Sequence, residues 1–226
     1  LLRNASATQA ELHLMRFQDI LMAASQSKGA SSPIFAQDNF TGTSGTDLTG
    51  TTPDIGGVWT DHASYSSFLT LDGSGGVYSG GTTATSVNYV ATTPSSANYY
   101  VETVLQFYSA IVADYPGIVG RLSTGSNNFY LASWDPVNVR WSLSKTVTGV
   151  NTELGNFSDT FTTGTKTIRL TMNGTTISMQ IDGVTQISVT DSALASVGRA
   201  GAYKNVTTAE AAGTGMHQTL FVAATL

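Results

Sequence analysis

The chain contains no cysteine. That excludes disulfides, thiolate metal sites and thiol catalysis. Charge is also scarce, at 11% of residues, and the 10 Lys and Arg are outnumbered by 15 Asp and Glu. A net charge of −5 and a pI near 4.9 argue against a nucleic-acid partner, because phosphate contacts need cations. They also argue against adhesion to an anionic membrane. No apolar run approaches the ~20 residues that a membrane span needs, and no basic-then-apolar secretion signal is present. The three histidines, His13, His62 and His217, are scattered without metal-ligand spacing. No GxSxG elbow occurs, and the GSGG at residues 73–76 lacks the following GK[ST] of a phosphate cradle.

What the chain has is Gly, Ser and Thr in abundance, with 23 glycines in 226 residues. Such a composition makes strands and turns rather than helical bundles. The length suffices for one large all-β domain with an appendage. Six segments read as strands: YYVETVLQFY (99–108), GIVGRLS (117–123), NFYLASW (128–134), VRWSLSKTV (139–147), KTIRLTMN (166–173) and HQTLFVAAT (217–225). Their separators carry Gly, Asn, Asp, Pro or Thr. Short strands at this spacing, without a long internal repeat, indicate a sandwich or barrel.

Residues 1–30 differ. They contain no Pro, and Gly appears only at the end, after Lys28. Ser6 with Gln9, or Thr8 with Glu11, has capping-box spacing, and Lys28-Gly29 reads as a helix stop. Ala10, Leu14, Phe17, Leu21 and Ala24 form a heptad seam of about two heptads. An isolated helix this short is marginal in water. It is expected to pack on its own domain or to join other subunits of an assembly as a homo-oligomer. Residues 31–37 read as a linker, and the β domain is expected over 38–226.

The segment ISMQIDGVTQISVTD (177–191) alternates apolar and polar residues on both sides of an Asp-Gly. That is a strong hairpin signal. A strict two-residue loop would set Met179 opposite Gln186 and turn Ile187 to the wrong face. One extra residue within 184–186 repairs the register, so the spacing predicts a bulge there and a positive φ at Gly183.

Several segments together resemble the concanavalin A-like lectin/glucanase superfamily, especially laminin-G-like jelly rolls. These are DNF (38–40), YPGIVGRLSTGSNNFYLASW (115–134), KTIRLTMNGTTISMQIDGVTQISVTD (166–191) and SVGRAGAY (196–203). The resemblance covers about residues 36–226. It is a pattern of strands and glycines rather than a catalytic signature. It implies a two-sheet antiparallel jelly-roll sandwich, here preceded by one N-terminal α-helix. The hairpin then belongs to the scaffold, and any site lies on loops or on the exposed concave sheet.

Glucanases of that superfamily resemble one another in a Glu-x-Asp-x-Glu strand. The four glutamates here, Glu11, Glu102, Glu153 and Glu210, form no such set, so catalysis is not expected. Carbohydrate binding would use flat aromatics beside polar groups. Trp59, Trp134 and Tyr130 are the candidates, with Tyr89, Tyr99 and the groove-facing carboxylate of Glu102. Trp141 is in phase with Val139 and Leu143 and reads as core. Trp134 is out of phase with Leu131, sits beside Asp135, and reads as exposed. No cofactor is expected. The resemblance raises one structural calcium, held by loop residues such as Asp38, Asp47, Asp54 or Asp114; ordinary Asx turns are the preferred reading.

Three functions compete. The preferred one is a non-catalytic structural or decoration protein of a bacteriophage capsid or tail, at the virion surface. The alternatives are an extracellular carbohydrate-binding module that contacts cell-surface glycan, and a glycan hydrolase.

Overall fold

The computed structural model describes residues 33–65, 67, 69–80, 84–109, 114–207 and 210–226. The expected N-terminal helix and its seam lie outside the described residues. The strands are β1 (Ile34–Asp38), β2 (Trp59–Asp61), β3 (Leu69–Leu71), β4 (Val77–Ser79), β5 (Thr85–Val90), β6 (Tyr99–Phe107), β7 (Asp114–Leu122) and β8 (Phe129–Asp135). They continue with β9 (Arg140–Val147), β10 (Val150–Ser158), β11 (Gly164–Asn173), β12 (Thr176–Ile181), β13 (Val184–Thr190), β14 (Arg199–Val206) and β15 (Met216–Thr225). Strand β1 begins inside the segment that reads as a linker.

Two sheets form. The first runs β13-β12-β11-β6-β15-β4-β3, with β1 also pairing to β15; the second runs β10-β9-β8-β7-β14-β5-β2. The strand pairings are antiparallel. This is the two-layer sandwich that the alternation implies.

The core follows from that alternation. In β6, Tyr99, Val101, Thr103, Leu105 and Phe107 point inward, and the residues between them are half-buried. Ile168, Leu170 and Met172 of β11 and Ile177, Met179 and Ile181 of β12 extend the same layer. The second sheet answers with Ile118, Ala132, Trp134, Trp141 and Leu143. Trp134 and Trp141 are directly opposed across β8 and β9, with ring centroids 5.1 Å apart. Phe107 meets both edge-on, at 5.9 and 6.2 Å. A Cβ at Gly120 would lie 2.4 Å from the Met172 methyl of the facing sheet, so a larger residue there would push that side chain aside.

The hairpin has the expected bulge. Met179 pairs with Ile187 and Gln180 with Thr185, so Gln186 is the extra residue. Asp182 and Gly183 turn with φ of 49° and 80°, as a type I′ turn requires. Ile187 thereby returns to the core face.

One end of the sandwich encloses charge. The side chains of Asp114 on β7, Lys204 on β14 and Glu210 on the preceding loop of β15 are all fully buried. The Lys204 ammonium lies 2.6 Å from Glu210 and 3.4 Å from Asp114, and it also donates to the Met216 carbonyl. Burial in a low-dielectric interior, joined by the nearby Glu210 charge, pushes the Asp114 carboxyl up to about 8 despite Lys204. Glu210 stays below its usual range, because Lys204 and its hydrogen bonds outweigh burial.

Candidate functional site

The outer face of the second sheet carries a groove of about 400 Å³. Its floor is Phe129 and Leu131, which belong to a second apolar cluster with Val87, Val119 and Leu122. Tyr65, Tyr89 and Tyr203 pack on this cluster, with Phe129 lying 6.5 Å from Tyr65 and 6.4 Å from Tyr203 between ring centroids. Tyr65 is held from the loop side, donating to Asn127 at 2.8 Å. Burial pushes the Tyr65, Tyr115 and Tyr203 phenols upward, so each meets the groove as a neutral hydroxyl.

The floor gives way to polar rows along the strands. Arg140, Ser142, Ser144 and Thr146 alternate along β9, with Trp141 and Leu143 facing the core between them. Asn151 of β10 donates to Ser144 at 3.1 Å and to Thr146 at 3.3 Å. At one end, the Arg140 guanidinium binds Asp135 at 3.1 Å and Glu153 at 2.8 Å. Burial would raise Asp135, but hydrogen bonds from Asn138 and Arg140 outweigh it and hold the carboxyl below its usual range. Glu153 also accepts from Asn156 at 2.7 Å. The groove therefore offers hydroxyls, amides and tyrosine edges over an apolar floor, with its three charges tied to one another. Such a surface can hold a polyhydroxylated, uncharged ligand.

The residues singled out in the sequence lie elsewhere. Trp134, expected to be exposed, is 2% exposed. Its phase was set against Leu131, and Leu131 belongs to the outer apolar cluster, so Trp134 faces inward. Trp59 is buried against Phe40 and Phe221 and donates to Asp38 at 2.6 Å. Tyr130 is buried, with its hydroxyl on Asp191 at 2.7 Å. Glu102 stands on the first sheet, 2.7 Å from Arg169, away from the groove sheet. Tyr99 is also buried, whereas Tyr89 packs on the outer apolar cluster without lining the groove.

The groove residues Tyr65, Tyr115, Tyr203 and Arg140 were missed. The alternation Arg140-Ser142-Ser144-Thr146 opposite the core residues of β9 was the readable signal. The four aspartates raised for calcium serve local structure: Asp38 accepts from Phe40 and Trp59, Asp47 from Thr49, Asp54 from Asn39, and Asp114 faces Lys204. No group of three metal-capable side chains occurs among the described residues.

No known family model and no characterised protein matches the chain by sequence. Solved structures do match by shape. One comes from work on endo-acting O-glycanases of human gut microbiota, with a TM-score of 0.62 and 9% identity over 86% of this chain and 100% of that one. The Bacillus licheniformis β-glucanase has a TM-score of 0.56 and 12% identity over 82% and 100%. The carbohydrate-binding module CBM66 of Bacillus subtilis has a TM-score of 0.54 and 15% identity over 76% and 92%. At these identities the likeness establishes the fold, a jelly-roll sandwich shared with carbohydrate-binding modules and concanavalin A-like glucanases.

Proposed function

We propose that the sandwich is an extracellular glycan-binding module that holds a neutral saccharide along the outer face of its second sheet without cleaving it. The observation that carries this reading is the groove itself, with tyrosines over an apolar floor flanked by rows of hydroxyls and amides. Sugars bind such surfaces through their apolar ring faces and their hydroxyls together. The likeness in fold to a carbohydrate-binding module and to glucanases supports it.

The chemistry favours binding over hydrolysis. Glycoside hydrolysis needs one carboxyl that keeps its proton and a second that acts as base or nucleophile. In the groove, Asp135 is held ionised, and both it and Glu153 are paired with Arg140. Asp135 is therefore not prepared as a general acid, and Glu153 is tied to Arg140 and Asn156.

Affinity electrophoresis against a panel of neutral polysaccharides tests the reading. Retardation by at least one glycan is expected, together with its loss in Ser144→Trp, whose indole would fill the groove, and no reducing-end release. Retardation unchanged by Ser144→Trp, or sugar release that Glu153→Gln abolishes, would overturn it. A virion-surface location draws no support from the described residues. Assembly through residues 1–30 is a separate proposal, tested by deletion.

A further inference from the structure

A second cleft of about 480 Å³ lies at one end of the sandwich, and it shares no lining residue with the groove. It is bounded by residues 121–124 and Asn128 on one side and residues 193–199 on the other, with Thr93 at its edge. Its lining contains two arginines, Arg121 and Arg199, and no Asp or Glu. Among the described residues, Arg140, Lys145, Lys166, Arg169 and Lys204 are all ion-paired to carboxylates, and Arg121 and Arg199 are not. In a chain of net charge −5, these two unneutralised guanidiniums of the described residues line the same cleft.

Arg121 is 4% exposed. Its guanidinium donates to the carbonyls of Ala97 at 3.0 Å, Leu194 at 2.9 Å and Gly174 at 2.9 Å. Carbonyls satisfy three of its five N–H groups but do not cancel its charge. A buried charge without a counterion is costly and calls for an anion from outside. Its backbone is also strained, with φ of 47° in a non-glycine residue, a conformation that clusters at ligand sites. Arg199 donates to the Thr93 hydroxyl and is otherwise open to the cleft.

The facing wall is fixed in place. A Cβ at Gly198 would lie 2.4 Å from the Arg121 carbonyl carbon, so glycine lets the 193–199 segment rest directly on the Arg121 backbone. Asp191, at the root of that segment, accepts from Tyr130 and from the Ala193 amide, and Lys145 neutralises it. The Leu194 amide in turn donates to the Tyr130 hydroxyl at 3.3 Å. A preorganised cleft spends little binding energy on ordering itself.

We propose that this cleft binds an anionic saccharide unit, a sugar carrying a carboxylate, with the carboxylate on Arg121 and Arg199. Guanidinium suits a planar carboxylate. Thr93, Ser123, Thr124 and Ser196 supply hydroxyl partners for the ring hydroxyls, and Leu194 and Val197 supply apolar wall. The volume suits a ligand of one or two sugar rings.

Titration of the full chain with sodium glucuronate, glucose and sodium sulfate, followed by amide NMR, tests this. Glucuronate should shift the amides of residues 121–124 and 196–199, weaken with added salt, and bind about tenfold more weakly to Arg199→Gln, the factor for loss of roughly 1.4 kcal/mol. Arg199→Lys should retain part of the affinity, and binding of neutral glycan at the groove should be untouched in both variants. Glucuronate that binds no better than glucose, that is indifferent to Arg199→Gln, or that fails where sulfate succeeds would overturn the proposal. Because the two sites share no lining residue, loss of one leaves the other measurable.

Discussion

The buried triad of Asp114, Lys204 and Glu210 makes stability fall as pH rises through the neutral range. Two carboxyls and one ammonium, sealed from water, balance in charge only if one carboxyl keeps its proton. Asp114 holds it, with its carboxyl raised from a usual 3.8 to about 8. Between those values the folded chain binds one more proton than the unfolded chain. Stability contributed by such a group is fully present below its unfolded value and is lost as pH rises through its folded value, at up to about 1.4 kcal/mol per pH unit. Groups held low act in the opposite direction. Burial would raise Asp72, but hydrogen bonds from His217, Ser74 and Gly76 pull it to about 2, so its contribution is lost only in acid. Asp135, Asp159 and Asp191 act in the same sense. The replacement Asp114→Asn keeps the shape and removes the titration. Urea unfolding of both proteins from pH 5 to pH 9 isolates the effect. The variant should gain on the wild type by about 1.4 kcal/mol per unit up to about pH 8 and then run parallel. A difference that stays flat across pH 5–8 would refute the reasoning.

Other perturbations read other parts of the account. Gly183→Ala places a Cβ in open space but in a left-handed conformation with φ of 80°, so urea unfolding should show a loss of about 1 kcal/mol without any clash. Trp134→Ala, in the core beside Trp141 and Phe107, should cost about 3–5 kcal/mol in the same assay. Deleting residues 1–30 should leave a folded sandwich by circular dichroism, because the described core cluster runs from Ala36 to Ala223. If those residues are the assembly handle, native mass should fall to that of the monomer; an unchanged mass would contradict that role.

Much of the scaffold was legible because its signals are local. The six strands read from apolar alternation recur as β6, β7, β8, β9, β11 and β15, with ends displaced by at most a few residues. The bulge at Gln186 followed from a register conflict visible in fifteen residues. The three-residue strands β2, β3 and β4 are too short to show a period, and β10 is largely exposed, so its alternation is weak. The site was harder to read for a specific reason. A strand with apolar residues on both faces, such as FYLASWD in β8, gives no single phase. Taking Leu131 as core put Trp134 outside, and the reverse is the case. Tyr203 and Arg140 line one groove from strands far apart in sequence, and no local pattern reports that.

The central claim, a neutral glycan held on the outer face of the second sheet, is tested most directly by mapping amide shifts of the full chain against a neutral oligosaccharide that retards it. The account predicts perturbations concentrated at Ser133, Ser142, Ser144 and Tyr203, with Glu102 and Arg169 on the other sheet unmoved. Perturbations confined to the first sheet or to the loops, with the groove residues silent, would contradict it.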